Sequence, residues 1–155
     1  MGLKNYYKLP LALLWLPLLG QNNAILTITP PHKLVAKRNT SVSTKLAVLV
    51  SEGYHANSNT PNEAYLIPLR LTWTSDPLQV ESITFPKPHD EKYSFSPTPL
   101  SVFTGAFDIT TKFKVPSGVT PGLAVLLGKL RYQACNDTMC FPPKTVEVKL
   151  PVEVQ

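Results

Sequence analysis

An all-β fold of the immunoglobulin-like antiparallel β-sandwich type is predicted by three observations. Proline supplies 16 of the 155 residues, about twice its usual share. Its fixed φ and missing N–H disfavour helices and central strands. Several stretches alternate apolar and polar residues with period two, and no long window keeps the 3.6-residue period of an amphipathic helix. Turn-forming residues cut these stretches into about seven short strands, the spacing of a sandwich. Apolar residues make up 43% of the chain and charged residues 16%, which excludes disorder as a description of the whole. The length suits one domain with its own core.

The first segment is a targeting signal by its pattern. Lys4 and Lys8 precede the apolar run Leu9–Leu19, which is shorter than the roughly 20 residues of a spanning helix and is interrupted by Pro10 and Pro17. Residues 1–20 are therefore expected to be a secretory signal peptide rather than an anchor, with the folded domain over residues 21–155. Leu18 is larger than usual for the position it would hold before a cut at Gly20, and no cysteine follows that would carry a lipid. Without Lys4 and Lys8 the charge falls from +5 to +3, 13 basic residues against 10 acidic. The basic residues are scattered, so neither nucleic acid nor another polyanion is an expected partner. Export to the periplasm or beyond places the two cysteines where disulfides persist.

Along the mature chain, Ile25–Thr29 alternates and is stopped by Pro30-Pro31. Ser41–Val50 sets Val42, Leu46, Val48 and Val50 on one face. Ala64–Thr74 is a strand candidate in which Pro68 marks an edge or a bulge, and Leu78–Phe85 is a shorter one. Ala106–Val115 is the clearest strand, with Phe107, Ile109, Thr111, Phe113 and Val115 facing one way and Asp108, Thr110, Lys112 and Lys114 the other. Leu123–Cys135 and Val146–Val154 complete the set. Gly53–Asn62 and Pro86–Pro99 read as loops, the second carrying Tyr93 and Phe95, and loops of this length are often functional.

Cys135 and Cys140 enclose Asn136, Asp137, Thr138 and Met139. Asn-Asp is turn chemistry between two strand-like runs, so the thiols should face each other across a hairpin turn, close enough to bridge. Closing so small a ring stabilises by only about 2 kcal/mol, little for a brace. An accessible pair suits exchange, in which a thiolate must reach one sulfur. A structural disulfide and a redox pair both remain open at this point. Soft-metal binding with His55 or Met139 has weak support from one C-x4-C spacing, and no cofactor or metal is expected. His55 either lowers a thiol pKa as an imidazolium or, with Asn57, satisfies loop backbone. Tyr132 and Phe141 flank the pair as an apolar docking surface or as edge packing. Asp137 and Glu91 either move protons or are simply solvated carboxylates.

The block Tyr132-Gln133-Ala134-Cys135-Asn136-Asp137-Thr138-Met139-Cys140-Phe141-Pro142-Pro143 resembles the cysteine hairpin of the N-terminal periplasmic domain of DsbD, the thiol:disulfide interchange protein. Gly53–Pro61 with Leu66-Ile67-Pro68, and Ile83–Pro88 leading to Val102–Phe107, are similar to the same domain, in order over roughly residues 24–154. The resemblance implies an immunoglobulin-like sandwich that relays electrons by disulfide exchange to periplasmic thioredoxin-fold proteins. It implies that Cys140 forms the mixed disulfide and Cys135 resolves it. It further implies a cap loop at His89–Phe95, with Tyr93 or Phe95 as the covering ring. The cysteine turn is one residue shorter than in the best-known version of that domain. DsbD continues into membrane and thioredoxin domains, so a chain ending at Gln155 is expected to meet a DsbD-like membrane donor and its acceptors in trans. The alternative is a non-enzymatic immunoglobulin-like binding module whose disulfide only pins a hairpin.

Overall fold

The computed structural model describes residues 24–155; the expected signal peptide at residues 1–20 lies outside them. Twelve strands are present among the described residues. The first six are β1 (Leu26–Thr29), β2 (Leu34–Ala36), β3 (Ser41–Val50), β4 (His55–Asn57), β5 (Arg70–Trp73) and β6 (Gln79–Thr84). The rest are β7 (His89–Glu91), β8 (Leu100–Phe103), β9 (Ala106–Lys114), β10 (Gly122–Tyr132), β11 (Ala134–Cys135) and β12 (Lys144–Val154). They form a four-stranded sheet in the order β1-β3-β9-β6, a second in the order β2-β12-β10-β5, and a small third sheet in the order β11-β4-β8-β7.

The alternation in the sequence accounts for the two large sheets. On β3, Leu46, Val48 and Val50 are buried while Lys45, Ala47 and Leu49 face water. On β9, Ile109, Thr111 and Phe113 point inward, and the register sets Leu46 opposite Ile109 and Val48 opposite Phe107. β10 and β12 pair over eleven residues, and their inward rows bring Leu126, Leu130, Val148, Leu150 and Val152 against the first sheet. Burial of these rows is the main stabilising term, roughly 1.5–3 kcal/mol for each large aliphatic side chain. The expected immunoglobulin-like sandwich is the observed fold. One edge departs from antiparallel pairing: after Pro30-Pro31 the chain crosses to the second sheet, where β2 runs parallel to β12. Proline has no N–H for the ladder, so β1 ends there.

Trp73 joins the two sheets. Its indole Nε1 donates to Thr111 Oγ1 at 3.0 Å, and its ring meets Phe113 edge-on at 5.6 Å. The ring lies over Gly128, its partner on the neighbouring strand. A Cβ at Gly128 would sit 2.8 Å from two of the ring carbons, so only glycine admits the indole here.

The third sheet was not evident in the amino-acid pattern. The expected loop Gly53–Asn62 contains β4, whose three residues His55, Ala56 and Asn57 are all buried. A strand covered on both faces shows no alternation, and two of its residues are polar. The expected strand Ala64–Thr74 is shorter, Arg70–Trp73 only. Its first half crosses irregularly beneath the third sheet, with Leu66 and Leu69 buried, because Pro68 cannot donate to a ladder. Pro86–Pro99 contains the edge strand β7, and Gly105, at φ 61°, makes the sharp turn from β8 into β9. The third sheet thus extends the sandwich past the ends of β3 and β10, and it carries the cysteines.

Gly128→Ala should push the Trp73 ring out of place and destabilise the domain by about 1–3 kcal/mol, the usual cost of overpacking. Chemical denaturation of the two proteins checks this.

Candidate functional site

The cysteine hairpin begins where β10 leaves the second sheet. Past Tyr132 the chain steps through Gln133 onto β11, which pairs antiparallel with β4 so that Ala134 faces Ala56 and Cys135 faces His55. Cys135 and Cys140 form a disulfide and lie opposite each other as an antiparallel bridge. The turn between them is closed by the Asn136 N–H donating to the Met139 carbonyl at 2.9 Å. The Asn136 side-chain oxygen accepts three further bonds at 2.9 Å, from Thr138 N, Thr138 Oγ1 and Met139 N. This is the Asx-type turn that the Asn-Asp pair predicts. The thiols' expected position across a hairpin turn is the observed one.

The hairpin is held to the third sheet by two side-chain amides. Gln133 Oε1 accepts from Asn57 Nδ2 at 2.9 Å and from the Ile67 N–H at 3.0 Å, and Gln133 Nε2 donates to the Phe141 carbonyl at 3.2 Å. Asn57 Nδ2 also donates to the Ile67 carbonyl at 3.2 Å. Asn57 thus satisfies a backbone carbonyl. Its Oδ1 lies 3.9 Å from Cys135 Sγ, a contact that becomes a hydrogen bond only when reduction gives that sulfur a proton.

The two sulfurs differ in exposure. Cys135 is fully buried, whereas Cys140 is partly exposed and packs against Leu66, Tyr93, Leu100 and Val102, with Phe95 alongside. The segment His89–Phe95 reaches the same cluster through Tyr93 and Phe95. Tyr93 stacks on His55 with ring centres 3.9 Å apart, and Phe95 stacks on Tyr93 at 5.7 Å. Ser94 Oγ donates to the Asp137 carbonyl at 2.9 Å, fastening this segment to the cysteine turn. Lys92 Nζ donates to the carbonyls of Ser96 and Pro97 at 2.6 and 2.5 Å and shapes the exit of the same loop.

His55 is 1% exposed and its Nε2 has no hydrogen-bond partner. Burial lowers its pKa from 6.5 to about 4, against the opposing pull of Glu91 and Asp137. At neutral pH it is thus an uncharged ring beneath Tyr93 and not an imidazolium beside a thiol. Burial, and then a hydrogen bond to Glu91, raise the Tyr93 phenol well above its ordinary value. Tyr132, read either as part of an apolar docking surface or as edge packing, is buried in the sandwich core and offers no docking surface. It continues the inward row of Leu126, Gly128 and Leu130 on β10. Phe141 is partly exposed and lies 6.1 Å from the ring of Tyr54. Asp137 is exposed at the tip of the turn. Among the described residues no cluster of three or more His, Cys, Asp or Glu has metal-holding geometry.

Over residues 25–151 the sequence matches the family described as the N-terminal domain of the thiol:disulfide interchange protein DsbD. The chain belongs to this DsbD N-terminal family. No curated protein sequence matches it. Among solved structures, the N-terminal periplasmic domain of ScsB from Proteus mirabilis is similar with TM-score 0.54 and 15% identity, covering 81% of this chain and 44% of that one. The chain thus spans under half the length of that structure. The reduced DsbD N-terminal domain of Neisseria meningitidis aligns at TM-score 0.45 and 15% identity, over 75% of this chain and 82% of that one. A type I cohesin from Pseudobacteroides cellulosolvens aligns at 0.49 and 13%, over 84% and 92%.

Sequence reasoning assigned no role to Gln133, the residue that ties this DsbD-family hairpin to its support. It stood in the matching block, but its partner Asn57 is 76 residues away and no local pattern marks the pair.

The buried imidazole makes stability depend on pH. Above pH 6.5 His55 is neutral in both folded and unfolded chains and contributes nothing. Between pH 6.5 and about 4 the unfolded chain binds a proton that the folded one excludes, so stability falls as pH falls through that window. His55→Phe keeps a stacking ring and should remove this part of the slope, measured by denaturant midpoints across the window.

Proposed function

We propose that the protein is an exported thiol–disulfide exchange module that passes electrons to thioredoxin-fold partners through Cys135 and Cys140. The observation that carries this reading is the unequal burial of the two sulfurs in a DsbD-family hairpin, with Cys135 enclosed and Cys140 at the surface beneath a cap. Residues 1–20 act as the signal peptide and residues 21–155 as the working domain, in the periplasm or outside the cell.

In the reduced protein the Cys140 thiolate attacks one sulfur of a partner disulfide. A Cys140–partner mixed disulfide forms, and the partner's other sulfur leaves as a thiolate that takes a proton from water. Cys135 then loses its proton and attacks Cys140 Sγ, re-forming the internal bond and releasing the partner's second thiolate. The partner disulfide has gained two electrons and the Cys135–Cys140 pair has lost them. A DsbD-like membrane donor acting in trans restores the dithiol. The proposed sequence of events has the cap lift, because Cys140 packs against the same apolar cluster that holds Tyr93 and Phe95. Phe141 and Tyr54 then border the exposed sulfur and offer a partner an apolar rim.

Two measurements test this. Reduced Cys135→Ala, mixed with a single-cysteine thioredoxin-fold protein activated as its thionitrobenzoate disulfide, should form a covalent complex through Cys140. Cys140→Ala should form none at a comparable rate, and equal trapping by both variants would overturn the assignment of roles. The reduction potential of the wild-type pair should lie above about −300 mV, since bonds well below that value resist exchange. A lower value would leave only an inert hairpin brace.

A further inference from the structure

Beside the cap lies a groove of about 520 Å³ whose lining includes Glu52, His55, Glu91, Tyr93, Gly105 and Asp137. Three carboxylates line it, and no lysine or arginine does. The chain as a whole is basic, so this acidic spot is set against the overall charge. Cations close in sequence are engaged elsewhere: Lys92 Nζ is held by the Ser96 and Pro97 carbonyls. Glu91 is shared with His89, 3.4 Å away, and with the Tyr93 hydroxyl. Glu52 and Asp137 are exposed and form no ion pair among the described residues. A second observation points to a ligand at the same place. The His55 side chain, 1% exposed, contributes to the lining and carries a buried Nε2 with no partner, and such orphans are uncommon in folded proteins.

Resting on the exchange function above, we propose that this groove seats a lysine or arginine side chain that the partner carries close to its reactive cysteine. Asp137 belongs to the cysteine turn itself, and Glu52 lines the same groove just before Gly53. A cation held at Asp137 is three residues from Cys140 along the turn, so it docks the partner and its disulfide together. In the tautomer protonated at Nδ1, the unpartnered His55 Nε2 is an acceptor for the N–H donors of a lysine or arginine. Charge at the rim of an interface governs encounter and choice of partner more than final affinity. The groove therefore selects which disulfides Cys140 meets. The long-range charge of the protein works in the other direction, since a net positive chain attracts acidic partners.

The test compares two tripeptides, Lys-Cys-Lys and Glu-Cys-Glu, each carried as its thionitrobenzoate mixed disulfide, reacting with the reduced protein. Each rate is divided by that of the same peptide with dithiothreitol, which removes intrinsic reactivity. The lysine peptide should react about fivefold faster at low salt, as one well-placed exposed ion pair allows. The preference should vanish in high salt and in the double variant Glu52→Gln, Asp137→Asn. Glu91 is left intact because it also supports Tyr93. Equal rates, a preference for the glutamate peptide, or a lysine preference that survives the double variant would each overturn the groove assignment while leaving exchange standing. Release no faster than from Cys140→Ala would overturn the exchange function, and the groove assignment with it.

Discussion

The amide pair of Gln133 and Asn57 is the constraint on which the site depends. A hairpin this short makes few backbone bonds of its own, and β11 contributes only two residues to the ladder. The Gln133 side chain reaches β4, the Ile67 backbone and the return arm at Phe141. With that knot in place Cys135 falls opposite His55, His55 becomes the floor for Tyr93, and Tyr93 joins the apolar cluster against which Cys140 packs. Each step uses the one before it. Buried side-chain amides are costly unless all their groups are paired, and here both donors of the pair are used.

Cover and support are built from different interactions. The sandwich is held by continuous inward rows on long strands, with β10 and β12 paired over eleven residues. The cap is held by a three-residue edge strand, a stack of three rings and a few hydrogen bonds. Segments with short ladders and exposed backbone are the ones that open locally while the core stays closed. The division suits the proposed exchange, in which the rigid half places the sulfur and the weak half uncovers it.

Legibility in the sequence followed the same division. β3 and β9 were readable because each buries one face, so their side chains alternate. The cysteine turn was readable because Asn-Asp acts on its own backbone. β4 was not, because both of its faces are covered and His55 and Asn57 look like loop residues. The seat of the cap was equally hidden, since the stack of His55 on Tyr93 joins segments that no local pattern relates. Tyr132 is the instructive case. The even-numbered row of β10 continues through it into the core, so the alternation already argued for burial, and its nearness to Cys135 in sequence argued for the surface. Periodicity was the better guide. A cover at Tyr93 or Phe95 was an expectation from the resemblance to the DsbD domain, not from any feature of the residues alone.

Both cysteines stand on one hairpin, separated by a four-residue turn that an asparagine side chain already holds. Making or breaking their bond closes or opens a small ring and asks nothing of the two sheets. The bond lies within one hairpin and spans neither large sheet. For the proposed exchange, this argues against a global shape change by which a partner would tell a loaded carrier from an empty one. The direction of the proposed electron flow is then a matter of the relative potentials of the couples that meet at Cys140, as in a wire, and not of a conformational ratchet in this domain.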